Sequence, residues 1–315
     1  MSSLSEHELG AAVVPPGFQE QVLLRVEHAR LRAPDPAAVA AWYVEQLGLA
    51  ERERDGDVIY LGCGGEDRHH LSIAPGEPGL EHVALLVDDE AQLDVLAEHY
   101  ARHGTACEMR SDPEPAVRSA LRTTLPTGHA LDAVVRENRR GYLIATEWEP
   151  AAALAPNELN HVTLSTTDPA RLYRHLAEVI GMRTSDIACA PDGFLLAAFM
   201  RVGENHHDVA LVPGPRDALH HIAFEVSDVG KLVSVADRVT AHGSRPEAGI
   251  GRHAAGNNIY LYVRDPAGHR VELSTQLARV GDRNAPPRIW TGPPTEGFNL
   301  WQEMMPPESM MVEVT

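Results

Sequence analysis

The sequence is poor in cysteine, in aromatic residues and in positive charge. Its three cysteines (Cys63, Cys107 and Cys189) are far apart, which fits reduced thiols and no disulfide or cysteine-based metal framework. Lys and Arg number 27 against 45 Asp and Glu, and the formal charge of −18 argues against nucleic acid or an anionic membrane as a partner. No apolar run approaches the roughly 20 residues of a membrane span. Residues 1–7 lack the basic and apolar regions of a signal peptide, so we expect a cytoplasmic protein.

Histidine is the residue type that the chain has in plenty, with 17 copies. It is the commonest metal ligand in proteins and the usual proton carrier near neutral pH. The length of 315 residues predicts two domains or one large domain, and an apolar content of 43% is typical of a globular protein.

An internal repeat organises these histidines. The pattern Leu-x-His-hydrophobic-x-hydrophobic occurs at 80–85, 159–164 and 219–224, with a weaker copy at 26–31. His28 and His161 are separated by 133 residues, and His82 and His221 by 139. The spacing indicates four modules, of which the first two are duplicated in the last two.

Each module reads as a strand that carries the histidine, then an amphipathic helix, then shorter strands. The fold class predicted is therefore α+β, with four βαβββ modules paired into two barrel-like domains. The N-terminal pair is expected at 15–145 and the C-terminal, catalytic pair at 155–276. Residues 277–315 are rich in proline without a clear period, and we expect an irregular tail packed over the second domain.

The candidate chemistry lies in the second domain, at His161, His221 and Glu272. Two imidazoles and one carboxylate on one face of an ion form the facial triad of non-haem Fe(II) enzymes, although Mn(II) fits the same ligands. Repeat register favours His221 over His220. A single histidine in an apolar strand is more often a buried, hydrogen-bonded residue than a ligand, but two at equivalent repeat positions favour a metal centre.

A longer pattern surrounds these residues. It runs Gly251-Arg252-His253, then Leu261-Tyr262, then Asp265-Pro266-Ala267-Gly268, and ends at Glu272. This pattern resembles the signature of type I extradiol ring-cleaving dioxygenases, which are catechol 2,3-dioxygenase-like members of the vicinal oxygen chelate superfamily.

The resemblance implies a glyoxalase-like fold and a homo-oligomer that acts in aromatic compound catabolism. The implied reaction is extradiol (meta) cleavage of a small aromatic diol with Fe(II) and O₂, giving a 2-hydroxymuconic semialdehyde-type product.

The resemblance also implies roles for single residues. His161, His221 and Glu272 would be the metal ligands, and His207 the acid/base, with His206 the weaker choice. His253 would hydrogen-bond a catechol oxygen and Tyr262 would position the substrate. Strand alternation places Tyr260 on the same face as Tyr262, so only the motif spacing separates them.

The first domain contains a similar set. The repeat offsets point to His28, His82 and Asp132, with His69 or His70 near the place of His207. In the family that the chain resembles, the N-terminal domain usually has no metal. We therefore expect this domain to lack a functional metal, and a second metal site is the alternative.

The substrate is less well defined. Relatives that accept a carboxylated catechol carry Arg where this chain has Ala248, although Arg245 is near, and Phe199 is a candidate for the ring pocket. A neutral or alkyl-substituted monocyclic catechol is the prediction, with biphenyl-type diols as an alternative. Two other functions in the superfamily stay open: a metal-dependent lyase or isomerase, and a drug-sequestering protein without a metal.

Overall fold

Two curled β-sheets, each flanked by helices, form the protein in a computed structural model. The structure describes residues 22–63, 68–137, 155–291, 297–302 and 304–315. The strands of the first sheet are β1 (Leu23–Ala33), β2 (Ala50–Asp55), β3 (Val58–Gly62), β4 (Leu71–Pro75), β5 (Gly79–Val87), β6 (Cys107–Glu114), β7 (Val117–Thr124) and β8 (Ala130–Arg136). The strands of the second are β9 (Glu158–Thr166), β10 (Arg183–Cys189), β11 (Leu195–Arg201), β12 (Val209–Pro213), β13 (Ala218–Glu225), β14 (Ala248–Arg252), β15 (Ile259–Arg264), β16 (Arg270–Thr275) and β17 (Arg288–Trp290). The strand order is β2-β3-β4-β1-β5-β8-β7-β6 in the first sheet and β14-β15-β16-β13-β9-β12-β11-β10-β17 in the second.

Each of the first four helices follows the strand that opens its module. The helices are α1 (Pro36–Trp42, continued by a π-helical turn over Tyr43–Leu47), α2 (Glu90–Arg102), α3 (Pro169–Arg174, continued over His175–Val179), α4 (Val229–Ala241) and α5 (Glu308–Val312). The side chains of Asp35 and Asp168 cap α1 and α3, and proline follows directly at the first helical position, as expected where no N–H is needed. None of the helices in the described ranges is long and apolar enough to cross a membrane.

The two sheets repeat one another in register. Strand β1 pairs in parallel with β4 and antiparallel with β5, and β9 pairs in the same way with β12 and β13. His28 is opposite Ala84 in the first sheet, and His161 is opposite Ala223 in the second. The prediction of an α+β fold with repeated βαβββ modules is confirmed. The tail adds the short strand β17 at the edge of the second sheet and the helix α5.

The two sheets share one hydrophobic core, and polar contacts join them at its margin. His269 is fully buried in the turn before β16, where its Nδ1 donates to Asp265 Oδ2 at 2.7 Å. Its Nε2 accepts the backbone N–H of Gly79, from the first sheet, at 3.2 Å. The same Asp265 carboxylate accepts from Tyr43 of α1 at 3.3 Å. These contacts hold the end of β16, on which a candidate ligand lies, against the first sheet.

We expect His269→Ala to lower the free energy of unfolding by about 2–4 kcal/mol, because it leaves two buried polar groups without their partner. His129 occupies the repeat-equivalent turn and is partly exposed, and among the described residues its side chain hydrogen-bonds Thr127. His129→Ala should therefore cost less than about 1 kcal/mol. Urea unfolding followed by circular dichroism tests the difference. Equal losses in the two variants would contradict this role for His269.

Candidate metal centre

Three buried side chains from adjacent strands meet at one point of the second sheet. His161 lies on β9, His221 on β13 and Glu272 on β16. The two Nε2 atoms are 3.3 Å apart, and Glu272 Oε2 lies 3.4 Å from His161 Nε2 and 3.1 Å from His221 Nε2. The repeat-bearing strands thus bring together the three residues that the sequence predicted as ligands.

The protonation of the two imidazoles follows from what lies behind them. His161 Nδ1 lies 2.8 Å from Oδ1 of Asn160, whose amide nitrogen donates to Glu225. The oxygen of Asn160 therefore faces the ring and accepts its Nδ1–H, which leaves Nε2 of His161 directed at the other two side chains. Burial lowers the pKa of His221 to about 4, so the imidazole of His221 is neutral at pH 7.

The donor set fits a divalent metal ion. Two imidazole nitrogens and a carboxylate oxygen are buried within 3.4 Å of each other, and in their unprotonated forms all three would direct lone pairs at a cation placed between them. Two imidazoles and one carboxylate suit Fe(II) or Mn(II), and three ligands on one side leave positions for other molecules.

Two further groups hold the Glu272 carboxylate. Tyr262 Oη donates to Oε2 at 2.8 Å, and Asn258 Nδ2 donates to Oε1 at 2.8 Å. Burial and the neighbouring Glu272 raise the pKa of Tyr262 well above its usual range, so its hydroxyl stays protonated. The sequence analysis missed Asn258. Its signal would have been the hairpin register, which places Ile259 opposite Thr275 and so brings this amide near the Glu272 strand.

His253 and Tyr262 lie side by side, as the motif spacing suggested. His253 Nε2 lies 3.1 Å from Tyr262 Oη, and its Nδ1 donates to the backbone carbonyl of Phe298 at 2.7 Å. Tyr260 stacks on the His253 ring at 3.9 Å instead of contacting the carboxylate. Of the two tyrosines, Tyr262 thus contacts the candidate ligand Glu272, and Tyr260 packs on His253. No side-chain pattern could have revealed the Phe298 contact, because a backbone carbonyl makes it.

His207 lies closer to the centre than His206 does. Its ring centroid is 4.1 Å from that of His161, and Phe199 packs at 5.2 Å. His206 instead points Nε2 towards Asp186, 3.3 Å away. Burial, followed by the neighbouring histidines, lowers the pKa of His207 well below its usual range.

Ala248 is on β14, opposite Tyr262 in the strand register. Its small side chain packs against the cluster of Tyr260, Tyr262 and Met310. The position thus contributes neither charge nor bulk beside the predicted substrate-positioning residue.

A second buried set lies in the first sheet, with a different carboxylate from the one expected. Glu114 Oε1 is 3.6 Å from His28 Nε2 and 2.9 Å from His82 Nε2. Its other oxygen lies 3.4 Å from His69 Nε2 and 2.8 Å from an Arg30 nitrogen. By strand register, His69 takes the place that His207 has in the second sheet.

Asp132, which the repeat offset indicated for this set, is not part of it. Arg122 occupies the register position of Tyr262 and binds both Asp132 oxygens, at 2.7 and 2.6 Å. Arg122 Nη2 also lies 3.2 Å from His82 Nδ1. A guanidinium can only donate, so His82 Nδ1 must accept and its proton is on Nε2. The nitrogen that faces Glu114 is therefore protonated, in contrast to His161.

Comparison with known proteins places this geometry in a family. The sequence model of the Glyoxalase/Bleomycin resistance protein/Dioxygenase superfamily matches residues 25–132 and 158–273. A manganese-dependent 2,3-dihydroxybiphenyl 1,2-dioxygenase of Geobacillus genomosp. 3 is 27% identical over 296 residues, covering 89% of this chain and 94% of the relative. An iron-dependent extradiol dioxygenase of Rhodococcus jostii is 24% identical over 295 residues, covering 87% and 94%.

A solved structure shares both the fold and the two-domain length. The homoprotocatechuate 2,3-dioxygenase of Brevibacterium fuscum, in complex with 3,4-dihydroxyphenylacetate, aligns with a TM-score of 0.82 at 27% identity. The alignment covers 95% of this chain and 94% of that one. The chain belongs to the Glyoxalase/Bleomycin resistance protein/Dioxygenase superfamily, and within it to the extradiol ring-cleaving dioxygenases.

Proposed function

We propose that the chain cleaves a neutral or alkyl-substituted monocyclic catechol beside its two hydroxyl groups, with both atoms of O₂ entering the product. The observation that carries this proposal is the buried meeting of His161, His221 and Glu272, with His207 on one side and Tyr262 on the other. The His253–Tyr262 pair favours the dioxygenase over a lyase or isomerase, which would not require it.

His161, His221 and Glu272 would hold Fe(II) or Mn(II). A metal ion bound there lowers the pKa of a catechol hydroxyl and allows electrons to pass from the ring to dioxygen. The relatives named manganese-dependent and iron-dependent support both ions.

Tyr262 and His253 would orient the two catechol oxygens. The Tyr262 hydroxyl stays protonated, since its pKa is raised, and its one proton, which is directed at Glu272 in this structure, would be offered to a catechol oxygen. The Phe298 carbonyl fixes the proton of His253 on Nδ1. His253 Nε2 is therefore an acceptor. A donor and an acceptor 3.1 Å apart distinguish one oxygen from the other, which favours a substrate that has lost one proton.

His207 would carry the proton. Nδ1 of His207 lies 3.0 Å from Nδ1 of His206, whose Nε2 lies 3.3 Å from Asp186, and the proton between the two Nδ1 atoms would lie on His207. Nε2 of His207 then has a free lone pair. A neutral imidazole in this state can take a proton from the substrate and return it to oxygen as the O–O bond breaks.

The substrate preference rests on Ala248 and Phe199. Ala248, opposite Tyr262, supplies no cation of its own for a substrate carboxylate, such as that of 3,4-dihydroxyphenylacetate. Phe199, beside His207, offers an apolar face to an aromatic ring. A biphenyl-type diol is the second candidate, because the relative from Geobacillus is named for such a substrate.

The direct test is anaerobic reconstitution with Fe(II), followed by catechol in aerated buffer. We expect a yellow product and one O₂ consumed per catechol. If catechol, 3- and 4-substituted catechols and a biphenyl diol all give neither signal while one iron is bound per chain, the assignment is wrong. A lyase or isomerase function would then be favoured.

Replacing His207 should damage turnover more than metal binding. We expect His207→Ala to lower kcat by about 100-fold to 10,000-fold, the usual contribution of a positioned acid/base, while bound metal stays at the wild-type level. His69→Ala is the matched control, since it removes a buried histidine at the same register of the first sheet and should leave kcat unchanged. Normal turnover in His207→Ala would remove this residue from the mechanism.

We also propose that each chain binds one metal ion. The Arg122 donor behind His82 keeps the proton on the nitrogen that would have to bind a metal, and Arg30 already neutralises Glu114. Elemental analysis after reconstitution and desalting should give about one metal per chain. His221→Ala should abolish it and His82→Ala should not. Two metals in the wild type, one of them lost in His82→Ala, would contradict the proposal.

A further inference from the structure

His220, which the repeat register set aside as a ligand, lies directly behind the ligand His221. The two Nδ1 atoms are 2.6 Å apart, and His220 Nε2 lies 2.9 Å from the backbone carbonyl of Met310 in α5. Both rings are buried. A chain of polar atoms therefore runs from the C-terminal helix, through His220, to the candidate metal ligand.

Only one arrangement of protons satisfies this chain. The Met310 carbonyl can accept but not donate, so His220 Nε2 carries a proton. His220 is buried, and in the part of the chain that the structure describes its ring nitrogens hydrogen-bond the Met310 carbonyl and His221, so a single proton, on Nε2, suits both contacts. Its Nδ1 is therefore an acceptor, His221 Nδ1 must donate to it, and His221 Nε2 has a free lone pair. The opposite arrangement would place two lone pairs 2.9 Å apart at Met310.

We infer that His220 is a positioning residue, which transmits the orientation of the Met310 carbonyl to His221 and so fixes the tautomer in which His221 can bind a metal. The inference uses the proposed function only in taking His221 as a metal ligand. It assigns a task to the tail, which supplies the last acceptor of the chain.

The position of the Met310 carbonyl is well defined. The fully buried Arg270 donates to the carbonyls of Ser309 and Glu313, on either side of it, and to the carbonyl of His220. Thr315 pairs with Leu219 through both backbone groups, at 2.7 and 3.0 Å. The tail is thus joined to β13 and β16, the two strands that carry His221 and Glu272.

The neighbouring ligand gives an internal comparison. Asn160 precedes His161 as His220 precedes His221, and its Oδ1 accepts the proton of the His161 Nδ1. In the first sheet the residues at this position are Glu27 and Glu81. Their carboxylates contact Arg68 and Arg30. A neutral side-chain acceptor for the Nδ1–H of the following histidine is thus found in the second sheet, whereas the first sheet has carboxylates paired with arginines at these positions.

Two substitutions of His220 test the roles of its two ring nitrogens separately. Asn places its side-chain oxygen near the position of Nδ1, and so reproduces the Asn160–His161 arrangement. Gln places its amide nitrogen near Nε2 and can reach Met310, but it offers no acceptor beside His221. We expect His220→Gln to weaken Fe(II) or Mn(II) binding by about 10-fold to 100-fold, as is usual when the partner of a ligating histidine is lost. His220→Asn should bind the metal nearly as the wild type does.

The measurements are competitive chelator titration of the metal and ¹⁵N NMR of the imidazoles in the full, metal-free chain. In the wild type and in His220→Asn, the His221 signals should report a protonated Nδ1 and a free Nε2, and in His220→Gln they should not. A wild-type His221 with its proton on Nε2 would overturn the inference, even if a variant failed to fold. Equal metal affinity in the Gln and Asn variants would overturn it as well.

These readouts are independent of ring cleavage. A wild type that binds one metal ion with the expected His221 tautomer, but cleaves no diol, would contradict the proposed function and leave the inference in place. A wild type that cleaves catechol but has the His221 proton on Nε2 would support the proposed function and contradict the inference about His220.

Discussion

The metal centre depends on the hydrogen-bond partner of the nitrogen that faces away from it. A neutral imidazole has one proton, and a ligating nitrogen needs a lone pair, so the other nitrogen must have an acceptor within reach. Asn160 meets this need for His161, and we infer that His220 does so for His221. Arg122 does the opposite for His82. The two halves of the chain thus place histidines at equivalent strand positions of the same fold. They differ in the groups that contact the Nδ1 atoms of these histidines.

This difference is the basis of our proposal that the duplicated fold carries one metal centre. The backbone register of the two sheets is nearly the same around His28 and His161. Side chains at equivalent positions have changed in chemistry, because Arg122 takes the place of Tyr262 and neutralises Asp132, which has the place of Glu272. Buried carboxylates in the first half, such as Asp132, are paired with arginines. In the part of the chain that the structure describes, Glu272 is instead hydrogen-bonded by Asn258 and Tyr262 and lies against the two histidines.

The sequence predicted those features of the fold and of the candidate site that follow from the internal repeat. The repeat gave the α+β modules, and it brought His161, His221 and Glu272 to neighbouring strands because duplicated strands keep their register. The repeat was wrong about Asp132 as a ligand. A repeat offset identifies an equivalent position, but it does not show that Arg122, ten residues earlier, binds the Asp132 carboxylate. It also could not reveal the contacts of Phe298 and Met310, because backbone carbonyls make them and these carry no residue-type signal. Tail segments without a period are where such contacts arise.

The docking of α5 has a consequence for the order in which the protein matures. Residues around Met310 are synthesised after every strand that carries a ligand, so a nascent chain can complete both sheets while the carbonyl behind His220 is still absent. The ligands are then near one another, but the tautomer of His221 is not yet fixed. On the inference above, a chain whose tail has not yet docked would bind a metal ion more weakly than the complete fold does.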